Sequence, residues 1–245
     1  MLFNKVLVIS DAHYGRHGNN PLANQDNNAF LDWAIDRAKS WGAETCIFMG
    51  DWHDNRTALL IPTIHESLKG MKKLNDSFKI VYFEIGNHDC YKRADNSINS
   101  VVIGQFFPNI KIISDPLTIE DVTFLPWLVG DQHKMIKHIK SRYVFGHLEL
   151  PGFISNYGIE VQNADHLAKP EDFIYPEYTF TGHFHARNTK KNIVYTGNMM
   201  PFSFSDQNDS ERGIMLLEYG KDPIFESWPD QPLYTTVNLT TLLND

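Results

Sequence analysis

KIVYFEIGNHD, residues 79–89, is the stretch on which the reading of this chain turns. Residues 79–86 form a mostly apolar run of strand length, and Asn87, His88 and Asp89 follow without a break. Gly-Asn is ordinary turn chemistry. An imidazole and a carboxylate directly behind it are not needed to make a turn. The same construction occurs twice upstream. KVLVIS at 5–10 closes on Asp11 and His13, and TCIFMG at 45–50 closes on Asp51 and Asp54. Downstream, RYVFGH ends on His147, and YTFTGHFH ends on His183 and His185.

The segments between these runs carry helical periodicity. Phe30, Ile35, Ala38 and Trp41 share a face of a helix predicted over 27–41, and further helices are predicted near 62–74 and 97–106. Repeated strand-helix units point to a layered α/β sandwich. Beyond residue 110 the strands become short and closely spaced: KIIS, VTFLPW, RYVFGH, YTFTGH, NIVYTG, GIMLLEY and LYTTVNL, with one helix near 131–140. Residues 151–176 carry Pro, Gly and Asn at turn-like intervals and read as a long surface loop over the strand ends. One domain over 1–245 is the simplest organisation.

Composition narrows the function classes. A hydrophobic content of 42% over 245 residues is enough for a substantial core. The apolar runs fall short of the roughly 18 residues that cross a bilayer, so no membrane span is expected. Two cysteines without CxxC spacing, Cys46 and Cys90, fit a reducing cytoplasm. A formal charge of −8 argues against gripping nucleic acid over the whole surface, a mode that relies on many Lys and Arg contacts. A local site where metal ions supply the positive charge stays compatible with it.

Taken singly, each polar cluster is a turn, a helix cap or a loop histidine. Five such positions, all at the ends of strand-like runs, change that weighting, because ligands bind at the carboxyl ends of strands in open α/β sheets. The donors mix carboxylate and amide oxygen with imidazole nitrogen and include no thiolate, which suits Mn, Fe or Zn rather than Ca. His17, His65, His133, His138 and His166 lack this context and are expected on the surface or on helices. His53, between Asp51 and Asp54, is a candidate for supporting a ligand. Tyr14, Trp52, Tyr91 and Trp127, with Arg56, Lys92 and Arg93, lie beside the motifs. They suit either stacking and charge contacts with a DNA strand or plain packing and solvation.

The ordered set DxH, GDxxD, GNHD, GH and GHxH resembles the calcineurin-like metallophosphoesterases and spans residues 11–185. The flanking text GHLELPGF at 146–153 and YTGNMMPFSFSDQNDSERGIMLLEY at 195–219, through Tyr195, Gly197, Phe204, Arg212 and Gly213, is similar to the SbcD-type DNA repair nucleases, phage recombination endonuclease subunits included. The resemblance implies a four-layer α-β-β-α sandwich. It implies one divalent ion on Asp11, His13, Asp51 and His185, and a second on Asp51, Asn87, His147 and His183. Manganese is the preferred ion, with iron or zinc as alternatives. His88 is then free to act on substrate, with Asp89 expected to hold its imidazole. The implied activity is hydrolysis of DNA phosphodiesters, 3′-to-5′ and within single strands. A small-molecule phosphodiesterase or a phosphatase is the alternative, and a non-catalytic binding module would need a broken ligand set, of which there is no sign. The family implies an SMC-like ATPase partner and a homodimer through helices near the first motifs, although little chain is left here for a capping domain. The second motif ends in Asp54, where many members carry a histidine.

Overall fold

The computed structural model describes residues 1–236 except Tyr157, Asp165, His166, Asn208 and Ser210. The strands, in chain order, are β1 (Lys5–Ile9), β2 (Thr45–Met49), β3 (Ile80–Glu84), β4 (Cys90–Lys92), β5 (Asp95–Asn99), β6 (Ile110–Ile113) and β7 (Leu117–Ile119). They continue with β8 (Val122–Leu125), β9 (Tyr143–His147), β10 (Tyr178–Gly182), β11 (Asn188–Lys190), β12 (Ile193–Tyr195), β13 (Gly213–Glu218) and β14 (Ile224–Ser227). Two six-stranded sheets form, ordered β14-β13-β1-β2-β3-β6 and β11-β12-β10-β9-β8-β7, and β4-β5 is a separate hairpin.

Period-2 alternation sorts the side chains between layers. Val6 and Val8 of β1 and Ile47 and Met49 of β2 face the second sheet, where they pack with Phe124, Phe145 and Phe180. Leu7, Ile9, Cys46 and Phe48 point the other way, into a cluster with Phe30, Leu31, Ala34 and Leu74. That cluster is roofed by two helices, α1 (Pro21–Trp41) and α2 (Ile61–Ser77). The outer face of the second sheet is covered by Ile136, Leu148, Leu150, Phe153 and Phe173. The expected sandwich is therefore present, its fourth layer built from a 3-10 helix at Gln132–His138 and the segment that follows β9 rather than from long α-helices.

Several boundaries differ from expectation. α1 begins six residues before residue 27, at Pro21, with the Asn20 side chain capping Leu22 N–H at 3.0 Å. The apolar periodicity missed this turn because its inward positions are Asn24, Asn27 and Asn28, all buried. Residues 97–106 are not an α-helix: β5 ends at Asn99 and a 3-10 helix spans Ser100–Phe106. Ile98, Val102 and Phe106 repeat at helical spacing, yet all three are exposed, so no burial enforces the α-helix. The segment at 131–140 is likewise 3-10 rather than α. LYTTVNL forms no strand over 233–236, and 237–239 lie outside the described residues. The described residues of the loop 151–176 are irregular, as read, apart from an Ile154–Glu160 bridge and a short turn at Pro170–Asp172. No helix among the described residues is long and apolar enough to cross a membrane.

Candidate metal centre

All seven expected ligands converge at one end of the sandwich, on the seam between its sheets. Asp11, His13, Asp51 and Asn87 leave the carboxyl ends of β1, β2 and β3. His147 ends β9, and His183 and His185 follow β10, with Gly182 paired to His147 in the ladder. Three overlapping groups have donor atoms within 4.8 Å of one another: Asp11, His13 and His185; His13, Asp51 and His88; Asp51, His147 and His183. Asp51 Oδ2 lies 3.6 Å from His13 Nε2 and 3.3 Å from His147 Nε2, the central position that a bridging carboxylate needs. Asn87 joins through its Oδ1, 3.1 Å from His147 Nε2.

The backbone is strained to reach this arrangement. Asp11, His13, Asp51 and His183 have φ values of 56°, 48°, 59° and 87°, in the left-handed region that L side chains avoid. The glycines of the motifs make room for them. A Cβ on Gly86 would overlap the Asp51 carboxylate and amide, and one on Gly182 would overlap Ser10 Oγ and crowd Asp11.

Polar neighbours orient the ligands. His147 Nδ1 donates to the Met49 carbonyl at 2.7 Å, leaving Nε2 for the centre. His13 Nδ1 is 3.1 Å from Asp54 Oδ1, and its buried Nε2 has no hydrogen-bond partner at all. An orphaned imidazole nitrogen aimed at two carboxylates fits a cation between them. The His88 amide donates to Asp51 Oδ1 at 2.7 Å, and the Asp11 carboxylate accepts from Ser10 Oγ and from the His183 amide.

The electrostatics follow from burial of three acids beside five imidazoles. Burial opposes the charge on His13, but the nearby carboxylates of Asp11, Asp54 and Asp51 outweigh it and raise its pKa to about 10. His147 is raised to about 9, where the Asp51 charge and hydrogen bond overcome burial. His183 and His185 stay neutral, held down to about 3 and about 4, chiefly by burial. Burial also works against ionised Asp51, yet His147 and His13 hold its pKa well below the usual range. Divalent cations bound there would supply the positive charge that these buried carboxylates call for.

His88 lines the cleft, as expected, but Asp89 takes a different place. His88 Nδ1 lies 2.6 Å from the Asp54 carbonyl, so that nitrogen carries the proton and Nε2 faces the cleft. Asp89 does not hold this imidazole. Fully buried, it accepts the amides of Asp51 at 2.9 Å, Trp52 at 3.3 Å, Gly86 at 2.8 Å and His53 at 3.0 Å, tying the turn after β2 to the turn after β3. His53 supports no ligand side chain; it is buried between Ser100 Oγ at 2.8 Å and Ser67 Oγ at 3.0 Å.

The cleft over the centre has a volume of about 760 Å³. Three residues that motif reading did not assign shape it. Asp54 holds His13 by its side chain and His88 by its carbonyl. Asn156 accepts the His185 amide at 2.7 Å and donates to the His183 carbonyl at 3.1 Å, so the 151–176 loop lies against the centre. Arg16 is buried beneath Phe202, 4.4 Å from its ring, and bonds to Asn27 and the Ala12 carbonyl. His17 is exposed at the cleft mouth, His65 and His138 are exposed, His133 is partly buried, and His166 lies outside the described residues. Tyr14 and Trp52 are core residues with ring centroids 4.7 Å apart, whereas Tyr91 is exposed.

A two-sheet sandwich with Asp and His side chains gathered at its strand ends is the arrangement that the resemblance of the motif order implied. No protein-family model matches the chain. In sequence it is similar to exonuclease subunit 1 of Enterobacteria phage T4, 26% identical over 223 residues that cover 87% of this chain and 64% of that protein. The chain therefore spans less than two thirds of that relative's length. In fold it is similar to TT1561 of Thermus thermophilus, with a TM-score of 0.53 and 10% identity over 92% of this chain and 99% of that one.

Proposed function

We propose that the chain is a metal-dependent DNA nuclease that hydrolyses phosphodiesters, 3′-to-5′ from strand ends and within single strands. The observation that carries this reading is the Asp51-centred cluster with the His88 imidazole beside it, anchored through Nδ1 to the Asp54 carbonyl. The likeness to a phage exonuclease subunit supports DNA as the substrate. Asp11, His13, Asp51 and His185 would hold one cation, and Asp51, Asn87, His147 and His183 the other, with manganese suited to the mixed nitrogen and oxygen donors. When bound, such a pair supplies a nucleophile at neutral pH and neutralises phosphate charge.

The protein's own residues do the remainder. Asp51, fixed by the His88 amide, sets the spacing of the two sites. The Asp54 carbonyl accepts from His88 Nδ1 and fixes the ring, and the doubly protonated imidazolium would give its Nε2 proton to the leaving 3′ oxygen, returning to the neutral Nδ1–H form. Asp89 keeps the two turns in register and takes no part in proton transfer. The designation of the T4 relative as a subunit supports assembly with a partner, for which an SMC-like ATPase is our candidate, with a homodimer as the alternative.

The reading is tested by offering the protein with manganese double-stranded DNA, single-stranded DNA, a chromogenic phosphodiester and a phosphomonoester. Cleavage of DNA that stops with chelator and returns with manganese is expected. Hydrolysis confined to the monoester contradicts it and favours a phosphatase.

A further inference from the structure

Beside the metal cleft lies a second cavity, of about 580 Å³, on the far side of His147. That is within the roughly 300–1,000 Å³ typical of small-molecule sites. Its walls are mostly apolar, including Leu128, Val129, Leu148 and Ala168, and His147 belongs to its lining as well as to the metal cluster. The buried His147 is thus the wall between this cavity and the metal cluster.

Trp127 forms the wall nearest the centre. Its ring centroid is 5.4 Å from that of His183 and 6.2 Å from that of His147. The indole is fixed at both ends, its backbone amide donating to Ile85 at 2.9 Å and Nε1 to the Arg93 carbonyl at 2.7 Å. The Arg93 guanidinium lies over the ring at 5.2 Å and pairs with Glu149. This places a rigid aromatic face, a planar cation and apolar walls within one residue of the phosphorus-binding centre.

We infer that this cavity is a nucleobase subsite, which takes one unstacked base of the strand being cut, next to the scissile phosphate. The inference deepens the nuclease reading and rests on it. The occupant follows from the chemistry. Whatever enters beside the centre is a substituent of the phosphoester, and a bare sugar or polar headgroup finds few partners on these walls. A flat base finds the Arg93 guanidinium, backed by the buried Trp127, and the apolar carbon of Leu128, Val129 and Leu148 for its faces, and His133 and Glu149 for its edge. Seating it requires the base to leave its stack, so single-stranded or frayed DNA is the preferred form.

The test is cleavage of single-stranded oligonucleotides in which one abasic residue is walked past a fixed scissile bond. With the wild-type protein, an abasic residue at the adjacent position lowers kcat/KM about tenfold, the scale of one lost stacking contact. The same lesion about ten nucleotides away, beyond reach of one base subsite, leaves the rate unchanged. Ala94→Trp, which fills the cavity from its exposed rim, abolishes the difference between intact and adjacent-abasic substrates without changing manganese content. Equal cleavage of all abasic substrates by the wild type overturns the subsite and leaves the nuclease reading standing. Discrimination that persists in a metal-loaded Ala94→Trp overturns the assignment to this cavity. Absence of any DNA cleavage by metal-loaded wild type overturns both.

Discussion

Glu84 shows what individual residues tolerate for the sake of the centre. It sits at the carboxyl end of β3 with no exposure, and neither carboxyl oxygen has a hydrogen-bond partner. Burial pushes its pKa up to about 8, against weaker pulls from His147 and the Leu125 backbone. The folded-state pKa exceeds the unfolded one, so the folded state is favoured by protonation. That contribution is complete below the unfolded carboxyl range and is lost as pH rises to about 8. Glu84→Gln keeps the neutral shape at all pH values. Urea unfolding should show the variant about 1–3 kcal/mol more stable than wild type near pH 9 and nearly equal to it near pH 5; equal or lower stability near pH 9 contradicts the account. The residues that touch the centre were legible because each ends an apolar run. Asp54, Asn156 and Asp89 were harder. Their roles depend on carbonyls and amides met across the fold, and spacing in the sequence carries no trace of such contacts.

At the scale of elements, the turns after the strands carry the candidate site, and their glycines are steric requirements. The Gly86 backbone lies against Asp51, whose carboxylate accepts the His88 amide and whose own amide donates to Asp89 Oδ2. Gly86→Ala forces Asp51 or the β3 turn to move. The expected result is loss of bound manganese, measured by elemental analysis, with native far-ultraviolet circular dichroism retained. Full metal occupancy in the variant would show that the close approach is not needed. The strands were readable because β1, β2 and β3 are apolar on both faces, as parallel strands between two layers must be. The start of α1 was obscured by asparagines that face inward to hold the turn after β1: Asn24 accepts the Gly15 amide at 2.8 Å and Asn27 bonds to the Ala12 carbonyl at 2.8 Å. Polar residues on a buried helix face break the pattern on which periodicity relies. The β4-β5 hairpin escaped for the opposite reason, since its exposed residues follow no alternation that burial would impose.

For the whole molecule, the centre is a junction between the two sheets. Asp11, His13, Asp51 and Asn87 come from one sheet, and His147, His183 and His185 from the other. Cations bound there join the two halves of the sandwich and bind only the folded chain, so they should stabilise it by about 2.7 kcal/mol at a hundredfold excess over Kd. Thermal unfolding with manganese and with chelator should differ by several degrees, and an unchanged Tm in saturating manganese counts against a site that spans the sheets. The most direct check is single-turnover cleavage of a labelled single-stranded oligonucleotide by wild type and His88→Ala, with manganese per chain measured on the same samples. The account predicts two manganese ions in both proteins and a rate about 10²- to 10⁴-fold lower in the variant. A rate unchanged by the substitution, or one that falls only in step with lost metal, would contradict it.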